Sequence, residues 1–390
     1  MIEEKLTILH IASDEKFINA ANYIFEKAFP KCNHFVIPFS RFRRKLRHVK
    51  LENNVHIISH SNSVIRKISK MSEKYDCVFL HGISEFNSSV YLSSLKKERF
   101  IGLLWGSELY NEDNFSRNKL LGEITASIKL PKPRYSLNEK IKTILRQLIY
   151  NKKVIIKDAI KLAASQLKYI CTMYEEESDF FKEKKLISVN AIHIPFSYYP
   201  MEYIMKENES SLVNGKNILI GNSASLTNNH LEAFHILKNF NIENRKIIVP
   251  LSYGDELYAS YIQEKGKGLF GEHFNPLLNF LPLTEYNKVI QGCGIVIMNH
   301  YRQQAIGNIL SALWLGSKVY LNESNTFFRY LKRIGIKVYS MDKDFSPENQ
   351  YTLCNLSVED MDHNRRIMER VIGEKYIIER LKQSVHSYFS

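Results

Sequence analysis

Short apolar segments alternate with amphipathic helical ones along this chain, and the alternation runs twice. Runs rich in Val, Ile, Phe and Leu stand at Lys5–Ile11, His34–Pro38, Val55–Ile58, Asp76–Leu80 and Phe100–Leu104, with a helical pattern from about Phe17 to Phe29 after the first. Such runs suit strands buried on both faces, and helices between them supply the crossovers of a parallel sheet. Tyr169–Thr172 and Ala191–Ile194 are expected to add two edge strands. The polar stretch Lys206–Asn217, with its Asn-Gly turn signal, then interrupts the pattern. It restarts with strands expected at Asn217–Ile220, Lys246–Pro250, Ile295–Met298 and Lys318–Leu321. Helices are expected at Asn229–Phe240, Glu256–Glu264, Asn308–Leu315 and beyond Ser357. The expectation is an α/β protein of two Rossmann-like domains facing one another across a cleft. They span residues 1–200 and 210–375, with a C-terminal helix over 376–390. Ligands of open α/β sheets bind at the carboxyl ends of the strands.

Charge narrows the partners. Among 390 residues, 54 are Lys or Arg and 41 are Asp or Glu, a formal surplus of +13 that favours phosphorylated ligands, nucleic acid or an anionic membrane. The surplus is uneven. Residues 41–50 carry six Lys/Arg and no acid, and residues 129–168 carry 11 Lys/Arg against two acids. In the second stretch Ile141, Ile144, Leu145, Leu148 and Ile149 recur at helical spacing among lysines, so this insertion into the first domain either docks on an anionic membrane or packs on that domain. No helix-turn-helix, zinc-finger or RNA-binding motif accompanies the charge, which argues against nucleic acid. Five scattered cysteines without a Cys-x-x-Cys pair argue against a disulfide framework and for a reducing compartment. The start MIEEKLTILH lacks an apolar signal region, and no run of about 18 apolar residues exists, so a cytoplasmic chain without a membrane span is expected.

Three loops after expected strands carry the candidate chemistry. In NILIGNSASLTNNHL (217–231), Gly221, Asn222 and Ser223 lie between a strand and a helix start, where backbone N–H groups and a helix dipole suit an anion. The same composition also makes ordinary helix caps. In NHYRQQAIGN (299–308), Arg302, Gln303 and Gln304 follow a strand of the same sheet; a guanidinium neutralises phosphate, or else forms a surface ion pair. In YLNESN (320–325), Glu323 is placed to accept from a sugar hydroxyl or to cap a helix. The first half offers His10, Asp14, His81 and Glu108 near strand ends as candidate bases, and no spacing resembles a metal site.

With these segments named, the chain resembles the TDP-N-acetylfucosamine:lipid II N-acetylfucosaminyltransferases, glycosyltransferase family 56, the 4-alpha-L-fucosyltransferases. The resemblance rests on LHIASD (9–14), FLHG (79–82), WGSELY (105–110), GNSASLTNNH (221–230), VPLSYG (249–254), RQQAIGN (302–308) and LNESNTFF (321–328), in the family's order. Residues 111–168 depart from the family pattern and are more basic. The resemblance implies a GT-B fold and no bound metal. It also implies a TDP-linked 4-acetamido-4,6-dideoxyhexose donor and a polyprenyl-diphosphate-linked saccharide acceptor in enterobacterial common antigen or O-antigen assembly. The enzyme is then expected as a peripheral protein on the cytoplasmic face of the cell inner membrane. The donor residues expected from the loops are Gly221, Asn222, Ser223, Arg302, Gln303 and Gln304 on the diphosphate, Glu323 on the deoxyribose and Tyr253 near the base. Glu108 is the first choice of base, ahead of His10, Asp14 and His81. The competing expectations are a GT-B enzyme using another nucleotide sugar such as a UDP-sugar, a non-catalytic two-lobed binding protein, and a nucleic-acid binder.

Overall fold

A computed structural model describes residues 6–39, 46–59, 63–111, 114–130, 156, 158–205 and 210–389. The basic cluster 41–45 and the amphipathic stretch 141–149 lie outside the described residues. The chain forms two compact units. One comprises Met1–Leu109, Arg134–Tyr199 and Glu374–Ser390, the other Tyr110–Pro133 and Pro200–Gly373.

The first unit is built on a seven-stranded, all-parallel sheet. Its strands are β1 (Ile8–Ile11), β2 (Asn33–Phe39), β3 (Val55–Ser59), β4 (Cys77–His81), β5 (Phe100–Leu103), β6 (Tyr169–Thr172) and β7 (Ile192–Pro195). They lie in the order β3-β2-β1-β4-β5-β6-β7, so β6 pairs on both sides and only β7 is an edge at that end. β1, β4, β5 and β6 are buried throughout, as their unbroken apolar runs require of strands covered on both faces. The helix Glu374–Phe389 returns to this unit. Its Ile377, Leu381 and Val385 enter the same core as Phe25, Phe35 and Phe79, and Lys27 pairs with Glu374 at its start.

The second unit carries a six-stranded parallel sheet of β8 (Ile218–Ile220), β9 (Ile247–Pro250), β10 (Phe274–Leu277), β11 (Ile295–Met298), β12 (Lys318–Leu321) and β13 (Tyr339–Ser340). The order is β10-β9-β8-β11-β12-β13. The order reverses at β8 and β11, where an open α/β sheet leaves a crevice at the strands' carboxyl ends. Residues 114–130 are pinned to this unit. Gly122 N donates to Asn229 Oδ1 (2.9 Å), Thr125 N donates to Glu232 Oε1 (2.8 Å), and Ile128 joins the core. Among the described residues no helix is long and apolar enough to cross a membrane.

Candidate functional site

The second unit gathers three of the candidate loops at one sheet edge. After β8 the chain turns at Gly221, whose φ of +70° belongs to the left-handed region. A Cβ there would lie 2.5 Å from His230 Nε2 and 2.7 Å from Asn228 Oδ1, so only glycine fits. Asn228 then organises the loop. Its Nδ2 donates to Ser223 O (3.0 Å), Ser223 Oγ (3.2 Å) and Ser225 O (3.1 Å). With the amide so turned, Oδ1 accepts from Asn222 N (2.8 Å) and His300 Nε2 (2.9 Å). One buried amide thus ties the loop after β8 to the loop after β11.

A second tie runs through Gln304. Its Nε2 donates to Asn222 Oδ1 (3.1 Å), and its Oε1 accepts from Thr227 Oγ1 (2.7 Å). Asn222 Nδ2 in turn donates to the Tyr253 hydroxyl (2.8 Å). The side-chain amides of Asn222 and Gln304 are therefore engaged with the protein itself. One N–H of each amide and both amide oxygens are spent on shaping the loops. Tyr253 keeps a half-exposed ring, and its loop is fixed by Ala224 N donating to Tyr253 O (2.8 Å).

Beyond Gln304 the helix Ile306–Leu315 begins, with Ala305 in the left-handed region and no side-chain cap on the first turn. Among the described residues nothing lies within 4 Å of where a Gly307 Cβ would sit, so the approach to that turn is open. An uncapped helix start presents N–H groups and positive dipole to an anion. Arg302 stands beside it, its guanidinium 5.8 Å from the ring centre of Tyr110 and donating to Gln303 O (3.0 Å). Ser223 is buried, while Arg302 and Gln303 are partly exposed. Glu323, after β12, pairs with Lys343 (2.9 Å), and that ammonium holds its carboxyl below the usual range.

In the first unit the four candidate bases separate. His10 is fully buried and stacked on Phe35 (centroids 4.0 Å apart), and burial, together with His81, holds its pKa well below the usual value. His81 is also fully buried, and burial pushes its pKa down to about 3. Asp14 accepts the backbone N–H groups of Arg47 (2.7 Å), His48 (3.0 Å) and Val49 (3.1 Å). Burial would raise its pKa, but those donors outweigh it and hold the carboxyl low. The two histidines are closed off from any substrate, and Asp14, partly exposed, spends its carboxylate on holding the chain at 47–49. Glu108 differs. It is partly exposed, and its Oε1 accepts from Trp105 N (3.0 Å) and Ile83 N (3.4 Å), bridging the loops after β4 and β5. Burial raises its pKa despite those donors, as suits a carboxylate that takes a proton.

Sequence reading missed Asn228, His300 and Lys343. The triplet Asn228-Asn229-His230 reads as a helix start, and nothing in sequence pairs Glu323 with a lysine 20 positions on. Among the described residues no group of three or more His, Cys, Asp or Glu could hold a metal ion.

The family model described as 4-alpha-L-fucosyltransferase, glycosyl transferase group 56, matches residues 146–361, more than half of the chain. The chain belongs to glycosyltransferase group 56. It is therefore a glycosyltransferase, and its two parallel sheets are those of the GT-B fold. Anabaena HepE, solved with UDP and glucose, is similar at 11% identity and a TM-score of 0.63, over 98% of this chain and 100% of that chain. Sucrose-phosphate synthase from Thermosynechococcus elongatus is similar at 8% identity and 0.60, over 98% and 99%. Trehalose 6-phosphate synthase from Burkholderia multivorans is similar at 7% identity and 0.59, over 99% and 98%.

Proposed function

We propose that this group 56 enzyme transfers a 4-acetamido-4,6-dideoxyhexose from a TDP-sugar to a polyprenyl-diphosphate-linked saccharide. Enterobacterial common antigen or O-antigen assembly is the setting that this chemistry fits. The observation that carries the donor half is the cross-linked pair of loops after β8 and β11, with Arg302 beside an open helix start. Diphosphate leaves when the glycosidic carbon–oxygen bond breaks, and its growing negative charge must be met by fixed donors. The Gly221 and Asn222 N–H groups are spent within the fold, so Ser223, the N–H groups of the helix start and the Arg302 guanidinium would meet it without a metal. Glu108 would take the proton of the acceptor hydroxyl as the new bond forms. Glu323 would accept from the deoxyribose, and the Tyr253 ring would lie against the base.

The acceptor half draws on the family and on charge. A surplus of +13 and a basic insertion suit a lipid diphosphate and an anionic leaflet, which would make the enzyme peripheral on the cytoplasmic face of the inner membrane. The UDP complexes of HepE favour a second reading, in which the donor is a UDP-sugar. Thermal melts with TDP and with UDP separate the two, because a ligand bound to the native state raises apparent stability. A larger shift with TDP supports the first reading, a larger shift with UDP the second, and no shift with either removes the diphosphate site. Arg302→Ala tests the cation directly: unchanged calorimetric affinity for TDP takes Arg302 out of that role.

A further inference from the structure

A line of polar side chains crosses the otherwise apolar core of the first unit. At one end Asn33 Nδ2 donates to Glu26 Oε1 (2.8 Å), Phe25 O (3.1 Å) and Phe29 O (2.7 Å). Its Oδ1 therefore faces His10 Nε2 (3.2 Å) and accepts, which puts the His10 proton on Nε2. His10 Nδ1 is left as a lone pair and accepts from His81 Nε2 (3.0 Å). That fixes the second tautomer, so His81 Nδ1 accepts from the Tyr198 hydroxyl (3.0 Å). The Tyr198 oxygen accepts in turn from Trp105 Nε1 (3.0 Å). Each proton points the same way, from Trp105 towards Asn33.

Polar groups are costly in a core unless each is paired, and a fully paired line has one geometry where apolar side chains would have several. The line ends on the Glu108 loop. The Trp105 ring lies over Gly82, where a Cβ would sit 3.1 Å from it, and the Trp105 backbone N–H donates to the Glu108 carboxylate. An indole fixed on both its face and its nitrogen fixes the backbone donor beneath that carboxylate. We propose that the line Asn33–His10–His81–Tyr198–Trp105 sets the position of the Glu108 carboxylate, with His81 and Tyr198 as positioning residues. The inference rests on the reading of Glu108 as the base.

Tyr198→Phe removes one oxygen and parts Trp105 from His81. Trp105→Phe cuts the line at its loop end and leaves the Tyr198–His81 bond, which guards against simple loss of folding in the first variant. Both are compared with Glu108→Gln for kcat, KM and the pH profile of kcat, with thermal melts to establish folding. The expected result is a kcat lowered roughly 10- to 100-fold, as an ångström-scale misplacement of a reacting group costs. The acid limb of the profile moves with it, while donor KM stays within about twofold. Folded variants with native kcat and an unmoved limb overturn the inference. If Glu108→Gln abolishes turnover in that case, the base reading stands alone. Near-normal turnover in Glu108→Gln overturns the base reading and this inference with it.

Discussion

Gln304→Ala is the substitution whose effect follows most directly from the loop geometry. The wild-type amide holds two bonds, from Nε2 to Asn222 Oδ1 at 3.1 Å and to Oε1 from Thr227 Oγ1 at 2.7 Å. A neutral hydrogen bond contributes about 1 kcal/mol net, so both together bring about 2 kcal/mol of pre-organisation. Without them, binding a diphosphate must order the two loops itself. At 1.4 kcal/mol per factor of ten, the expected loss in TDP affinity reaches roughly 30-fold. Asn228 still ties the loops, so the variant should fold and its melting temperature should fall only modestly. Gln304→Glu sharpens the test, because it keeps an acceptor for Thr227, sets a carboxylate oxygen against Asn222 Oδ1 and adds negative charge beside the phosphates. It should bind TDP more weakly than the alanine variant. Calorimetric titration reads both. Affinity within about twofold of wild type in Gln304→Ala would mean that the loops are held in order without this tie.

Other expectations follow from the same geometry. Gly221→Ala combines a left-handed φ with a Cβ 2.5 Å from His230 Nε2, so a loss of about 2–4 kcal/mol is expected in denaturant unfolding, with TDP binding lost as the loop shifts. A base must be ionised to act, and burial raises the Glu108 pKa. Turnover should therefore fall as pH drops, along a limb lying above the ordinary carboxylate range and absent from any residual activity of Glu108→Gln. Lys343 and Ser340 both bond the Glu323 carboxylate and so fix its position after β12. Lys343→Ala should narrow the preference for TDP over UDP, and an unchanged ratio in competition binding counts against that pairing as a selector.

How far the sequence reached depends on burial. β4, β5, β8 and β11 are covered on both faces, and their unbroken apolar runs announce them. β10 lacks that signal because it is an edge strand, half-exposed, with Pro276 interrupting its apolar run. The helix Glu256–Phe270 outruns its expected end at Glu264 because Gly266 reads as a breaker. Yet a Cβ there would run into the Phe274 ring, so packing demands the glycine. The assignment of Tyr110–Pro133 to the second unit and of Glu374–Ser390 to the first rests on contacts between distant residues, which local periodicity does not carry. At the site, the loops and their polar residues were legible from their places after strands. The partners were not. Whether Asn222 reaches a ligand or Gln304, and whether His10 meets solvent or Phe35, is decided by side chains far along the chain.

Purified enzyme offered a panel of nucleotide sugars with a synthetic polyprenyl-diphosphate saccharide, and the products weighed by mass spectrometry, reads donor and acceptor together. The acceptor should gain the mass of one acetamido-dideoxyhexose from the TDP-linked donor, with TDP released in equal amount. Transfer from a UDP-linked sugar in its place, or release of TDP with no gain in acceptor mass, would contradict the proposed transfer.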